Sequence, residues 1–336
     1  MARDTRSEFL RQLARVEPTL ARAFEDAIEL VRDSAQIRRI TEAVRDALRT
    51  GNVVAAAEEI LASISTEPSF YSALDRAVQL AMEAGATNIM ATLPPARRLQ
   101  VRFDGRHPDA EAWARTRAAN LITEITEDHR NVIRAVLDDG IANQRRYRDI
   151  VRLLVGTREN GGLISLHSRQ ADAVLSARQE LESMNPAVLR RTRLHGNDRG
   201  MVEARIRRGG RLTSAEVEAI SQRYADRLLR LRAETIARTE ANAALNAGRH
   251  LAVQQMIDRG EIRSDAVSRI WDATIDRRTR GSHVSLDGQV RAWGMPFVSP
   301  LTGASMMYPH DENAIASERI NCRCTERIRI DWRTGQ

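Results

Sequence analysis

Between Ser7 and Met90 the apolar residues recur at steps of three and four, the spacing that lays one apolar stripe along a helix. Phe9, Leu13, Val16, Leu20, Phe24, Ile28 and Val31 make the first stripe. Pro18 falls inside it and is expected to kink it or to open a fresh first turn. The same periodicity predicts helices over 37–48, stopping at Gly51, and over 53–64. A fourth starts after Thr66 with Pro68 in its first turn and ends near Gly85. Residues 1–91 therefore read as a helical region with no legible chemistry. Residues 92–108 combine Pro, Gly and alternating charge and read as a linker.

Pro108 then opens a helix expected to reach about residue 137. Gly140 is expected to part it from a basic helix over 141–155 that carries Arg145, Arg146, Arg148 and Arg152. A loop at 159–162 and a helix over 168–184, before Pro186, follow. Thr213-Ser214-Ala215-Glu216 is a capping box, in which Thr and Glu satisfy each other's free N–H groups. Val217, Ile220, Tyr224, Leu228 and Leu231 continue at helical steps. The predicted helix, 214–259, would be about 70 Å long, with a bend expected at Gly248.

After Gly260 the pattern changes period. Residues 266–275 are rich in β-branched and aromatic side chains, and Asp287-Gly288 is a hairpin signal. Residues 297–308 hold two short extended runs around Pro300 and Gly303, and 313–320 fit one or two helical turns. Residues 325–332 alternate Arg and Asp with Ile and Trp, the mark of a half-buried strand. The expected fold is mainly α with a small C-terminal α+β module, long helices followed by a short antiparallel sheet. Its parts are a helical region 1–91, a linker 92–108, a helical body 109–261 and a module 262–336.

Composition sharpens this picture in two places. Aromatic residues make up only 4% of the 336 residues, so the cores are aliphatic. All 52 basic residues are Arg, and the formal net charge is +7. Arginine usage of this kind follows codon pressure in a GC-rich genome; it also supplies the better phosphate fork. The excess is concentrated: residues 190–211 hold eight Arg against Asp198 and Glu203, a net of +6. Four glycines punctuate that segment, which reads as short helices and loops. It is either a solvated surface or a set of phosphate contacts, with Arg190, Arg191, Arg193, Arg205, Arg207, Arg208 and Arg211 as the candidates.

No apolar run long enough for a membrane span occurs, and residues 1–16 lack the apolar core of a leader. A cytoplasmic protein, or one built into a particle there, is expected. The two cysteines exclude a disulfide framework. They stand as Cys322-Arg323-Cys324, with Asp276 and His283 upstream. Thiolate, imidazole and carboxylate are zinc ligands, so Cys322, Cys324, His283 and Asp276 form a candidate structural zinc set. On a regular strand the two thiols would share a face but stand about 6–7 Å apart; joint ligation needs a turn at Arg323 to bring them together. Two further readings stay open: a pair of buried thiols beside a hydrogen-bonded His283, or a Cys nucleophile with His283 as base and Asp276 as orienter. Arg278 and Arg280 are expected to pair with Asp272, Asp276 or Glu318.

Three stretches together resemble the minor head and head-morphogenesis family of tailed bacteriophages, typified by protein F of phage Mu. They are 236–246 with its Ala-Arg-Thr-Glu, then Trp271-Asp272-Ala273 through Leu286-Asp287-Gly288, then Phe297 through Pro300, Gly303 and Tyr308-Pro309 to Asn321-Cys322-Arg323-Cys324. The likeness covers about residues 230–330. It implies a non-enzymatic virion protein of low copy number at the portal vertex, acting in head assembly and in DNA packaging or delivery. Its implied partners are portal or major capsid protein and DNA through phosphates, without membrane or small-molecule substrate; residues 1–91 would dock it. The alternatives are a cytoplasmic DNA-binding protein outside any virion and, third, a Cys/His-dependent enzyme.

Overall fold

The computed structural model describes residues 5–29, 33–65, 69–98, 101–157 and 161–332. They form two compact units whose segments alternate along the chain. Unit 1 comprises Met1–Phe24, Ser72–Ala119 and Glu234–Gln336, and unit 2 comprises Glu25–Tyr71 and Asn120–Ala233. These units do not coincide with the sequence stretches 1–91, 109–261 and 262–336.

The fold is mainly helical, as the periodicity predicts. The first four helices are α1 (Thr5–Glu29), α2 (Ser34–Thr50), α3 (Val53–Ser65) and α4 (Ser69–Met90). Phe9, Leu13, Leu20 and Phe24 are buried along α1, which runs through Pro18 without a break. The expected positions Ile28, Val31 and Pro68 lie outside the described side chains. α4 does not stop at Gly85 but continues a further turn and more. The expected linker also departs from expectation. It contains α5 (Pro95–Arg98), and Leu93, Val101 and Phe103 pack into an apolar cluster with Ala86, Ile89, Val253 and Met256. The amide nitrogen of Asp104 donates to the Gln255 side chain at 2.9 Å. Three apolar residues spaced through a Pro- and Gly-containing stretch suffice to pin it down.

α6 (Pro108–Ala142), which belongs to unit 2 from Asn120 onward, α7 (Tyr147–Val155), α8 (Ser168–Glu182) and α9 (Gly196–Arg207) supply most of the remaining helix. α6 passes through Gly140, contrary to expectation, and breaks after Ala142. A β-carbon at Gly140 would meet the Ile150 side chain at 2.4 Å, so this glycine admits α7 and does not end α6. Arg45 of α2 lies 4.3 Å from the Tyr147 ring centre and donates to its hydroxyl at 2.9 Å.

α10 (Ser214–Asp258) is continuous over 45 residues, with the Thr213–Glu216 capping box made in both directions at 2.7 and 3.2 Å. The helix runs through Gly248 without a break. There the missing side chain matters sterically: a β-carbon would lie 1.9 Å from the Met82 carbonyl oxygen, and one at Gly85 would lie 2.1 Å from that of Leu245. α4 and α10 thus cross at backbone contact in unit 1. Residues 239–249 of α10 are buried without interruption. Asn242 and Asn246 donate to the carbonyls of Arg238 and Asn242, each at 2.9 Å, which gives both buried amide nitrogens a partner in their own helix.

The C-terminal part of unit 1 is a three-stranded antiparallel sheet in the order β2-β1-β5, built from β1 (Val267–Asp272), β2 (Val290–Ala292) and β5 (Thr325–Ile330). β5 pairs β1 along its length, from Val267 opposite Ile330 to Asp272 opposite Thr325. β3 (Phe297–Val298) and β4 (Ser305–Met306) form the two extended runs read from sequence and pair with each other. Asp287-Gly288 is not a two-residue hairpin. The β1–β2 connection holds α11 (Gly281–Val284), and the Gly288 amide closes back onto the Trp271 carbonyl at 2.9 Å. α12 (Ala316–Arg319) is the expected helical turn.

Candidate functional site

His283, Cys322 and Cys324 converge, their ligand atoms all within 4.8 Å of one another and each side chain buried. The required turn exists, two residues before Arg323. Asn321 adopts φ +57°, a left-handed conformation that Asn tolerates better than most residues. Its amide is held by the Thr239 hydroxyl of α10 at 3.1 Å, and the Arg323 carbonyl accepts from Thr274 at 2.8 Å. Both Sγ atoms consequently lie 3.4 Å from His283 Nδ1. Zinc bonds of about 2.3 Å to sulfur and about 2.0 Å to nitrogen at a tetrahedral angle place S and N roughly 3.5 Å apart. The observed spacing fits that shell.

The orientation of the imidazole is set from its far side. Nε2 lies 2.9 Å from the Glu318 carboxylate, which itself accepts from Ser282 Oγ at 2.9 Å. A carboxylate beside Nε2 with Nδ1 facing both thiols is the arrangement of a metal-ligating histidine. Cys324 is pulled down to about 5, first by the hydrogen bond from Cys322 and further by His283. Burial pushes Cys322 upward. Both thiols lie in an apolar cluster with Trp271, Leu286, Phe297 and Met306.

Asp276 is corrected out of the ligand set. It takes both oxygens to Arg323, at 2.7 Å each, and accepts the Arg278 amide at 2.8 Å. The guanidinium of Arg323 holds its carboxyl well below the usual carboxylate range. Two of the expected arginine pairings also change. Arg280 donates to the Ile320 carbonyl, and Glu318 serves His283. Sequence reasoning missed Glu318 in this role and missed His310, whose Nε2 stands 3.0 Å from the Cys322 carbonyl. It missed Arg269 as well, a fully buried guanidinium that donates to the carbonyls of Met295 and Met307 and so ties the loops around β3 and β4 to β1.

The three sequence stretches noted above meet here. Thr239 reaches Asn321, Glu240 forms a doubly hydrogen-bonded pair with Arg117 at 2.6 Å, and Asn246 and Arg249 contact Thr325. Asp287 accepts the Ala273 amide at 2.8 Å.

The candidate phosphate contacts divide into two kinds. Arg191 is locked to Glu180 at 2.7 and 2.8 Å and to the Ala173 carbonyl, and Arg205 to Glu216 and the Arg211 carbonyl. These two brace unit 2. Arg190, Arg193, Arg207, Arg208 and Arg211 are exposed and make no ion pair among the described residues.

Set against known sequences, residues 202–327 match the profile of the family described as Phage Mu protein F like protein. No curated protein and no solved structure matches the chain. No helix among the described residues is long and apolar enough to cross a membrane.

Proposed function

We propose that this chain, with its Phage Mu protein F-like region at 202–327, is a minor head protein of a tailed phage. It acts at the portal vertex in head assembly and in DNA packaging or delivery, contacting portal or major capsid protein and DNA phosphates. The observation that carries this reading is the match itself, supported by the meeting of its sequence stretches around His283, Cys322 and Cys324. Co-expression with the portal and major capsid proteins of its parent phage tests the assignment. Co-purification with either is expected, and its absence from assembled heads overturns the reading.

The Cys/His cluster takes structural zinc in this proposal. Three donors at tetrahedral spacing, with a carboxylate behind the imidazole, support the metal. Burial of all three groups at 1–2% exposure supports a structural role over catalysis. When bound, the ion supplies a covalent-strength clip between α11 and the segment entering β5. The purified protein is expected to hold about one equivalent of zinc, measured by elemental analysis, and Cys322→Ser to release it with a loss of several kcal/mol in the module. Metal-free protein whose stability survives that substitution sinks the zinc assignment and leaves the head-protein reading standing.

A further inference from the structure

Two basic stretches that lie far apart in sequence, 145–152 and the end of 190–211, open onto one cleft in unit 2. Its volume is about 690 Å³, and Arg145, Arg146, Arg152, Arg178, Arg211 and Ser214 are among its walls. We propose that this cleft is the nucleic-acid contact of the protein, taking the phosphodiester backbone of DNA without regard to sequence. The proposal rests on the reading of the chain as a DNA-contacting head protein and names where that contact lies.

The cleft holds five arginines against Asp149, Glu182 and Glu218, a net of +2. Two of those acids are already engaged: Glu182 accepts from Arg145 and Arg178, and Glu218 from Arg178 and Gln222. The inner arginines are thereby fixed in place as a floor. Arg145 is nine-tenths buried in that floor, and its Nη2 has no hydrogen-bond partner. Arg146, Arg152 and Arg211 are exposed and make no ion pair among the described residues, so their guanidiniums remain for a ligand. Asp149 stands in the first turn of α7, next to Arg146 in space along the same turn.

The start of α10 adds donors of the same sign. Thr213 and Glu216 consume each other's groups in the capping box. The amides of Ser214 and Ala215, both at the cleft, have no acceptor among the described residues. Free N–H groups at a helix start, together with fork-shaped guanidiniums, recognise phosphate oxygens. No aromatic side chain lines the cleft, so bases gain no stacking platform. Contact is with the backbone, and its strength depends on salt.

The test uses the full chain and mixed-sequence DNA oligonucleotides, single-stranded and duplex, titrated across roughly 50–200 mM salt. Arg146→Gln/Arg152→Gln/Arg211→Gln is expected to weaken binding to every sequence alike. It should flatten the dependence of log affinity on log salt by about 2 for single strands or about 2.7 for duplex, from about 0.7 or 0.9 per lost contact. Arg152→Gln alone is expected to give about a third of that change. Arg190→Gln/Arg193→Gln/Arg207→Gln/Arg208→Gln is expected to leave the slope as in the parent. The reverse pattern overturns the cleft assignment while DNA contact itself stands. Tighter capture of an acidic peptide than of DNA overturns it too, because the cleft would then be a protein site. A parent protein with no salt-dependent DNA binding overturns the proposal outright, and portal co-purification still decides the head-protein reading separately.

Discussion

The two halves of α10 solve burial in opposite ways. From Ser214 to Ala233 the helix is amphipathic: Val217, Ile220, Tyr224, Ala225 and Leu228 face inward, and charged residues alternate with them outward. From Thr239 to Arg249 it is buried on all sides, and small residues make this possible. Ala241, Ala243, Ala244, Ala247 and Gly248 let neighbours approach, while Asn242 and Asn246 turn their amides back onto their own helix. A stripe is visible in a hydrophobicity pattern because water enforces it. A helix surrounded by protein answers to the shapes of its neighbours, and those are not local in sequence.

The sharpest way to break this comparison is at the crossing. Gly248→Val drives a β-carbon into the Met82 carbonyl, a backbone group that cannot swing aside. The cost should exceed the ~1–3 kcal/mol of ordinary overpacking, seen as loss of the cooperative melt of unit 1. Gly200→Ala in α9, where a β-carbon meets nothing within 4 Å, should instead stabilise by about 0.5–1 kcal/mol through helix propensity. Equal melts for the two variants refute the close crossing.

A smaller effect belongs to the other half. His129 of α6 is buried, and burial first, then Arg232 of α10, lowers its pKa from 6.5 to about 3. The unfolded chain therefore takes up this proton before the folded one does. The stability it contributes is fully present above pH 6.5 and is lost as pH falls towards about 3, an effect of up to a few kcal/mol. His129→Gln should flatten the pH dependence of amide protection in α6 between pH 6.5 and 4. An unchanged profile would show that another group governs acid lability. Smallest of all, Thr213→Ala should cost about 1 kcal/mol, read as faster exchange of the Glu216 amide with the rest of α10 protected as before.

Legibility followed the same divide. The stripe of α1, the helices α2 and α3, the capping box and the alternating strand β5 were all readable, because each is written in neighbouring residues. Gly85 and Gly140 were misread as helix ends, since a glycine beside a distant backbone or side chain looks no different from a helix breaker. The stretch 92–108 has the composition of a linker, and only Leu93, Val101 and Phe103 reveal that it is anchored. In the site, the Cys-x-Cys pair and His283 were legible from donor chemistry. Glu318 was not, because a carboxylate that supports a ligand carries no spacing rule. Asp276 was assigned to the wrong partner for a related reason: Arg323, between the two cysteines, competes for it with bidentate geometry that sequence cannot display.

The alternation of segments has a consequence for the order in which the molecule can be completed during synthesis. Unit 2 has all its residues once Ala233 has been added, whereas unit 1 draws on Glu234–Gln336. Gly85 must wait 160 residues for Leu245, roughly 10–30 s at ~5–20 residues per second. Over that interval the crossing of α4 with α10 cannot form. His283 then waits in turn for Cys322 and Cys324, so the cluster closes among the last contacts of the later unit, acting as a seal on a core that the ribosome has only just finished supplying.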